Sequence, residues 1–342
     1  MDKVGVGVVG PGWAGGEHIK AYMNNPNAEL VAVCGRDEGR TKAAIAEIGV
    51  ECAVYTDYAE MLKRDDLHVV SICTPNDLHV KEGIMTVQAG KHMLLEKPIA
   101  LNLEDLKEIR DAVRASKVKT VVGFVLRWNP LFETLKPLID DDAIGRIFFG
   151  EVDYFHGIGP WYGQYKWNVK KSIGGSSLLS AGCHAVDGLR WFMGEEAVEV
   201  TAYSTHSKNE SFSLYEYDPT TVAIIKFANG VVGKVASSID CIQPYVFNIN
   251  LVGDKGTIKN NRLYSHKMPG QTDFATIPTI LPDSGDVTHH PYQGEIDHLI
   301  DCVINDKESF INVEDAIKTH EICLAADISA AEGRSVKLPL LD

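Results

Sequence analysis

Four groups of residues have the types and spacing that chemistry requires. The first is Gly10-Pro11-Gly12-Trp13-Ala14-Gly15, a GxGxxG run. Its first glycine permits a tight turn, its second lets backbone approach a pyrophosphate, and its third allows a helix to pack closely on a strand. The run holds phosphate only where a strand precedes it and a helix follows, because the helix N-terminus presents N–H groups and the positive end of its dipole. The apolar Val4–Val9 ahead and Gly15–Met23 behind meet that condition. The second group is Val33-Cys34-Gly35-Arg36-Asp37, at the end of the next apolar stretch. An acid at this strand tip accepts from the ribose 2′-OH of NAD. Gly35 takes that place, and an arginine after it can hold a 2′-phosphate by charge-assisted hydrogen bonds. Two readings stand side by side, with a slight lean to the first: Arg36 selects NADP, or Arg36 is solvated and Asp37 contacts the ribose.

The third group is Glu96-Lys97-Pro98, just past the apolar His92–Leu95. A lysine at the carboxyl end of a parallel strand faces the cleft where ligands bind. Its ammonium can hydrogen-bond a substrate hydroxyl, stabilise an alkoxide and relay a proton. A lone lysine is usually just solvated, but the flanking Glu96 and the restricting Pro98 favour the functional reading. The fourth group runs from Gly174-Gly175-Ser176-Ser177 through Ser180, His184 and Asp187. The last three are spaced i, i+4 and i+7, which places them near one face of a helix. A neutral imidazole there is suited to take a proton from a substrate hydroxyl. A lone buried histidine is more often a core residue.

These groups need elements to hold them. The first third alternates short apolar strands with helices: Val4–Val9, Leu30–Cys34, Val69–Cys73, His92–Leu95 and Thr120–Phe124 as strands, and Gly15–Met23, Glu38–Ile48, Leu78–Ala89 and Leu103–Ala115 as helices. Strands apolar on both faces imply a doubly wound parallel sheet, a Rossmann arrangement. After a helix near Leu131–Ile139 the pattern changes. Strands at Ile147–Phe155, Val198–Thr205, Val222–Phe227, Val231–Ser238 and Val246–Val252 predict a large, mainly antiparallel open sheet in an α+β domain, interrupted by a helix over Ser177–Phe192. Asn229-Gly230 predicts a two-residue hairpin turn with both residues at positive φ. Helices at Gln293–Val303 and Val313–Ala331 either cover that sheet or return to the first domain. The expected domains are 1–123, binding NAD(P), and 124–342, binding substrate and making oligomer contacts.

Composition narrows the classes. The 342 residues suit two domains. A formal net charge of −14 without a basic cluster disfavours nucleic acid. No apolar run is long enough to span a bilayer. Met1-Asp2-Lys3 leads straight into a Gly-interrupted strand rather than a signal peptide. Seven scattered cysteines without a CxxC pair fit reduced thiols and a cytoplasmic location. His289-His290-Pro291-Tyr292 with Glu295 and His298 has metal-like composition but not zinc spacing, so no metal is expected. Arg127, Trp128, His156, Trp161, Tyr162, Tyr165, Lys166 and Trp167 mix aromatic and polar groups as a sugar site does, and Arg127 and Trp167 are the favoured pair.

Together the residues resemble the Gfo/Idh/MocA oxidoreductases, the family of glucose–fructose oxidoreductase and inositol dehydrogenases. The resemblance covers essentially the whole chain. It rests on the Gly10/Gly12/Gly15 run, Cys73-Thr74-Pro75-Asn76 with His79, Glu96-Lys97-Pro98, Gly174-Gly175 with His184 and Asp187, and the terminal Gly333-Arg334-Ser335-Val336-Lys337-Leu338-Pro339. It implies that Lys97 and His184 are the catalytic residues, opposite the nicotinamide. The implied cofactor set is Gly10, Gly12, Trp13, Ala14, Gly15, Gly35, Arg36, Thr74, Pro75, Asn76, His79, Glu96, Lys97 and Arg127. The substrate set is Lys97, Arg127, Trp167, Ser180 and His184. Polyol dehydrogenases of the family carry an Asp four residues before the histidine; here Ser180 stands there. The expected activity is hydride transfer between NAD(P) and a secondary hydroxyl or ketone of a sugar, sugar derivative or cyclitol, in a homodimer or homotetramer. Two rivals are an NAD-dependent glycosidase that oxidises its sugar transiently, and a non-catalytic NAD(P)-binding sensor.

Overall fold

A computed structural model describes residues 3–341, so the reading of Met1-Asp2 lies outside it. The chain forms two compact units, residues 1–125 with 291–317, and residues 126–290 with 318–342. The expected cut at 123/124 falls beside the division at 125/126, but the expected single boundary does not account for 291–317, which is grouped with the N-terminal unit.

The first unit is built on six parallel strands: β1 (Val4–Val9), β2 (Ala28–Cys34), β3 (Ala53–Tyr55), β4 (Val69–Ile72), β5 (His92–Leu95) and β6 (Thr120–Val122). Their order is β3-β2-β1-β4-β5-β6. Every residue of β1 and β4 is buried, as strands covered on both faces require. The chain winds outward in both directions from β1 and β4, and this reversal opens a crevice at their carboxyl ends. The helices are α1 (Trp13–Asn24), α2 (Glu38–Ile48), α3 (Tyr58–Leu62), α4 (His79–Gln88) and α5 (Leu103–Arg114). Asp37 caps α2 by accepting from Arg40 N at 2.8 Å, and Asn102 caps α5 through Asp105 N at 2.9 Å. The edge strand β3 and the helix α3 are additions to the sequence expectation. At three and five residues they are too short for a periodic signal.

The second unit contains α6 (Pro130–Asp140), β7 (Ile147–Phe155), α7 (Tyr165–Asn168), α8 (Lys171–Gly174) and α9 (Cys183–Met193). Strands β8 (Ala197–Thr205), β9 (Thr220–Phe227), β10 (Val232–Ser238), β11 (Val246–Gly253), β12 (Gly256–Lys259), β13 (Arg262–Ser265), β14 (Ala275–Thr276) and β15 (Val336–Lys337) follow. The nine-stranded sheet runs β14-β13-β12-β11-β7-β10-β9-β8-β15. It is antiparallel except for the β7–β10 pair. That pair sets Gly150 opposite Gly233, and a Cβ on either would stand within 2.8 Å of a Leu189 methyl. The paired glycines therefore leave the room that α9 fills. The other face shows Tyr203, Val222 and Ile224, which alternate along their strands with buried residues.

The β9–β10 hairpin forms, but not with the expected turn. Phe227 N donates to Val231 O, so three residues make the loop, and Gly230 has φ +84° while Asn229 stays in the ordinary region. Asn229 Oδ1 accepts from Val231 N, a local bond that holds the longer turn.

Two helices precede β15, α10 (Tyr292–Ile304) and α11 (Val313–Glu332). Tyr292, Glu295, Ile296, Leu299 and Ile300 of α10 are buried at helical spacing, and Asn25 Nδ2 donates to Asp297 Oδ1 at 2.6 Å. α11 begins in the first unit and continues in the second from Lys318.

Candidate active site

The first unit offers a phosphate cradle at the start of α1. Gly10 has φ +84°, and a Cβ on it would stand 2.6 Å from Cys73 O. A Cβ on Gly15 would lie 2.3 Å from Gly10 O, so the turn and the helix close on each other only without side chains. At Gly12 a Cβ would meet nothing within 4 Å: the constraint there is space left open. No side chain caps α1, and no acid stands in its first turn. Its leading N–H groups have no intrahelical acceptors and face outward. The residues present therefore fit the diphosphate of a nicotinamide dinucleotide. Trp13 is 53% exposed beside them, edge-on to Tyr292 at 5.9 Å.

At the tip of β2, a Cβ on Gly35 would stand 2.2 Å from Thr41 Oγ1, so no acid fits that position without displacing Thr41. Arg36 is exposed, and the Asp37 carboxylate is turned back to cap α2.

Lys97 follows β5. Beside it, buried Glu96 sets Oε1 3.2 Å from His18 Nε2 and accepts from Lys97 N at 3.2 Å through Oε2. Burial alone would raise the Glu96 pKa, but the His18 hydrogen bond and the charges of His18, Lys97 and His79 bring it below its ordinary value. His79 was expected among the cofactor residues. It is buried, with Nδ1 2.7 Å from Pro98 O and Nε2 2.9 Å from Thr74 O. The ring sits between the loop after β4 and the loop after β5; a neutral ring donates to one of these carbonyls at a time, and burial lowers its pKa against the pull of both. Thr74 Oγ1 donates to Glu82 Oε2 at 2.6 Å, Pro75 is half-buried, and Asn76 is buried at the start of the following turn.

In the second unit His184 lies on α9. A π turn, Leu178–Gly182, precedes that helix. The expected shared face of Ser180, His184 and Asp187 presumed an unbroken α-helix. The π turn inserts i→i+5 geometry between Ser180 and the rest, so each takes a different neighbour. Ser180 Oγ donates to Asn168 Oδ1 at 2.7 Å. Asp187 accepts from Arg127 Nε and Nη2, both at 2.8 Å, and from Thr319 Oγ1 at 3.1 Å. His184 faces Tyr154, rings 6.2 Å apart and inclined by 22°, and His290 at 6.1 Å.

The Arg127 guanidinium also lies 4.3 Å from the Trp191 ring centre. It was expected to touch cofactor and substrate; the structure gives it a bracing part in the α9 packing. Trp167 is half-buried on α7.

Further groups gather near His184. His156 Nε2 lies 2.6 Å from Tyr162 OH and 3.0 Å from Asp286 Oδ1, while Tyr162 OH donates to Asp286 Oδ2 at 3.0 Å. Burial and Asp286 push the Tyr162 phenol up to about 12. Tyr245 joins them, 4.9 Å from the His156 ring and 5.0 Å from that of Tyr154. His156 and Tyr162 stood among the aromatic candidates. Tyr154 of β7, Tyr245 just before β11 and Asp286 of a later loop were not named, and only the strand alternation of β7 could have hinted at Tyr154. Among the described residues, no three His, Cys, Asp or Glu side chains gather as metal ligands. Among the described residues, no helix is long and apolar enough to cross a membrane.

Comparison with known proteins adds to this geometry. Residues 4–124 match the family model described as an oxidoreductase family with an NAD-binding Rossmann fold, and residues 132–259 match the GFO/IDH/MocA C-terminal domain. The chain is 27% identical to scyllo-inositol 2-dehydrogenase (NAD(+)) of Bacillus subtilis, over 98% of this chain and 96% of that protein. It is 28% identical to D-apiose dehydrogenase of Paraburkholderia graminis, over 98% of this chain and 90% of that one. A solved levoglucosan dehydrogenase, in complex with NADH and L-sorbose, shares the fold with a TM-score of 0.89 and 24% identity, covering 99% of this chain and 100% of that one. With both domain models matched in sequence order over these elements, the chain belongs to the Gfo/Idh/MocA oxidoreductase family.

Proposed function

We propose that this protein is a dehydrogenase that interconverts a secondary hydroxyl and a ketone on a sugar, sugar derivative or cyclitol. The observation that carries the reading is the first unit itself: an uncapped helix start at Gly12 and a lysine at the end of β5, anchored through Glu96. The curated relatives act on sugars and inositols, which supports that substrate class. When bound, a nicotinamide dinucleotide supplies the hydride chemistry. This chain's residues do the rest. The α1 N-terminus binds the diphosphate. Lys97 hydrogen-bonds the substrate oxygen and stabilises its negative charge. His184 takes or returns the hydroxyl proton. His156, Tyr162 and Asp286 present donors and acceptors to neighbouring hydroxyls, and Tyr154 and Tyr245 present ring faces to the sugar's C–H groups.

NAD is the cofactor of the scyllo-inositol dehydrogenase relative and of the family's Rossmann domain. A preference for NADP rests on the Gly35-Arg36 tip alone, supported by the engagement of Asp37 with α2. The apolar residues on the open sheet face support a homodimer or homotetramer through that sheet. Seven free cysteines support a reducing, cytoplasmic setting. The test is a panel of sugars and cyclitols assayed with NAD+ and NADP+. Sustained cofactor reduction on members of the panel supports the reading. Tightly retained NAD, with hydrolysis of an aryl glycoside and no net reduction, replaces it with the glycosidase reading. Cofactor binding without turnover across the panel replaces it with the sensor reading.

A further inference from the structure

In the second unit, the polar cluster around His156 ends at the surface in a tryptophan. The Tyr162 hydroxyl lies 2.6 Å from buried His156 Nε2 and donates to Asp286 Oδ2 at 3.0 Å. The residue before it, Trp161, points away from that cluster's hydrogen bonds and is 61% exposed. Single exposed apolar side chains are ordinary and need no cause. This one is seated. A Cβ on Gly159 would stand 2.4–2.8 Å from three atoms of the indole's six-membered ring, so only a glycine leaves the ring its place. Phe212 meets the same indole edge-on, ring centres 6.0 Å apart and planes inclined by 77°.

The loop that carries Trp161 is pinned as well. Ile158 N donates to Ile239 O at 2.8 Å, and Tyr162 N closes a turn on Gly159 O at 3.0 Å. Tyr215 OH donates to Ile158 O at 2.9 Å, and Tyr165 OH donates to Ser211 O at 2.7 Å. A Cβ on Gly157 would lie 2.3 Å from Cys241 O, so the loop lies directly on the segment after β10. The indole is therefore held in one place before any ligand arrives, and a ligand that meets it has little left to order. The flanking segments each add an exposed apolar side chain, Leu214 two residues past Phe212 and Ile242 next to Cys241.

The order of the groups says what fits there. Ring contacts lead from Trp161 to Tyr162 at 6.5 Å, from Tyr162 to His156 at 5.1 Å, from His156 to Tyr154 at 6.1 Å and from Tyr154 to His184 at 6.2 Å. His184 stands at one end, and His156, Tyr162 and Asp286 offer hydroxyl partners in the middle. At the outer end these donors and acceptors give way to an apolar ring open to solvent. The C–H face of a second sugar ring is its complement: that face stacks on the indole while the hydroxyls on its rim stay in water. We propose that Trp161 is the platform of a second subsite, which takes the outer ring of a disaccharide whose inner ring lies at the His184 end. The proposal rests on the reading of the His156 cluster as sugar-binding, and its binding content does not need turnover.

The test labels the five tryptophans with fluorine, loads the protein with NADH and follows the fluorine signals by NMR, that of Trp161 assigned by its loss in Trp161→Phe. The probes are cellobiose, maltose, lactose and sucrose, beside methyl glucoside and methyl galactoside. At least one disaccharide shifts the Trp161 signal saturably, and neither methyl glycoside does. In turnover, kcat/KM for that disaccharide relative to the methyl glycosides falls about three- to tenfold in Trp161→Ala, the worth of a ring stack. Trp161→Tyr, which keeps a ring, retains most of that ratio. No shift with any of the disaccharides overturns the proposal. A Trp161 signal that moves only with protein concentration marks a contact between subunits and overturns it too. If disaccharides shift the signal but no sugar is oxidised, the dehydrogenase reading fails and the subsite stands.

Discussion

Replacing Asp187 by alanine should destabilise the second unit far more than a typical substitution. The Arg127 and Asp187 side chains are 2% and 3% exposed. Their two hydrogen bonds are parallel and 2.8 Å long. Arg127 cannot shed its charge, so Asp187→Ala strands a guanidinium in the interior. Removing one partner of a buried pair costs about 3–5 kcal/mol. Thr319 loses an acceptor as well, worth roughly 1 kcal/mol. For a domain of about 150–250 residues, 1 kcal/mol moves Tm by about 2–4 °C, so a loss of about 4–6 kcal/mol lowers it by roughly 8–24 °C. Thermal unfolding followed by circular dichroism measures it, with Arg127→Met and the double variant Arg127→Met/Asp187→Leu alongside. The double variant should recover much of the loss, because an apolar pair of similar volume replaces a buried ion pair at little cost. A loss of less than about 1 kcal/mol for Asp187→Ala is what an exposed pair gives, and it would refute this reasoning.

Three further outcomes follow from the first unit and from α9. Gly12→Ala should fold with an unchanged Tm but bind NADH more weakly by roughly 1–3 kcal/mol, the range of an overpacked contact; Gly15→Ala should lower Tm as well. Fluorescence titration with NADH beside a melting curve separates the two effects, and equal NADH affinity in Gly12→Ala contradicts the cradle. Lys97→Ala and His184→Ala should each lower kcat by about 10²–10⁴ while NADH affinity holds within about twofold; weakened cofactor binding with normal residual turnover would sink both roles. Glu295 is fully buried with no hydrogen-bond partner on either carboxyl oxygen, and burial, then the charge of Glu96, raise its pKa well above 4.5. The folded state therefore keeps a proton that the unfolded chain releases above about pH 4.3, so this contribution is complete below that pH and is lost as pH rises through the folded pKa. Urea unfolding at pH 5 and 8 (about the limits of the neutral window) should show the wild type losing stability relative to Glu295→Gln; parallel changes in the two proteins would contradict a protonated Glu295.

The sequence made the first sheet legible because its strands are apolar on both faces and its glycines have a steric cause. Val4–Val9 and His92–Leu95 form the strands that their composition implies. Glu38–Ile48 is bounded by the Asp37 cap and Gly49 at φ +84°, both local signals. Long-range facts were hidden. Nothing in the Ser180–His184–Asp187 spacing shows the π turn that sends Ser180 to Asn168. Arg127 and Asp187 lie sixty residues apart in the chain, and neither type marks a buried pair. His79 carried a motif-like spacing but packs between two carbonyls. The hairpin at Asn229-Gly230 shows the same limit at short range: the dipeptide predicts a turn, but the Asn229 side chain selects the longer one. α10 reads as an ordinary amphipathic helix, and long-range contacts such as the Asn25–Asp297 and Gln293–Ala21 bonds reveal that it belongs with the first unit.

The account's central claim is tested most directly by incubating the purified protein with NAD+ or NADP+ and a panel that includes inositols, D-apiose and levoglucosan, and following formation of the reduced cofactor. The account predicts steady, substrate-dependent reduction on at least one of them, abolished to background in Lys97→Ala. Cofactor binding with no reduction on any member, or reduction that survives unchanged in Lys97→Ala, would contradict it.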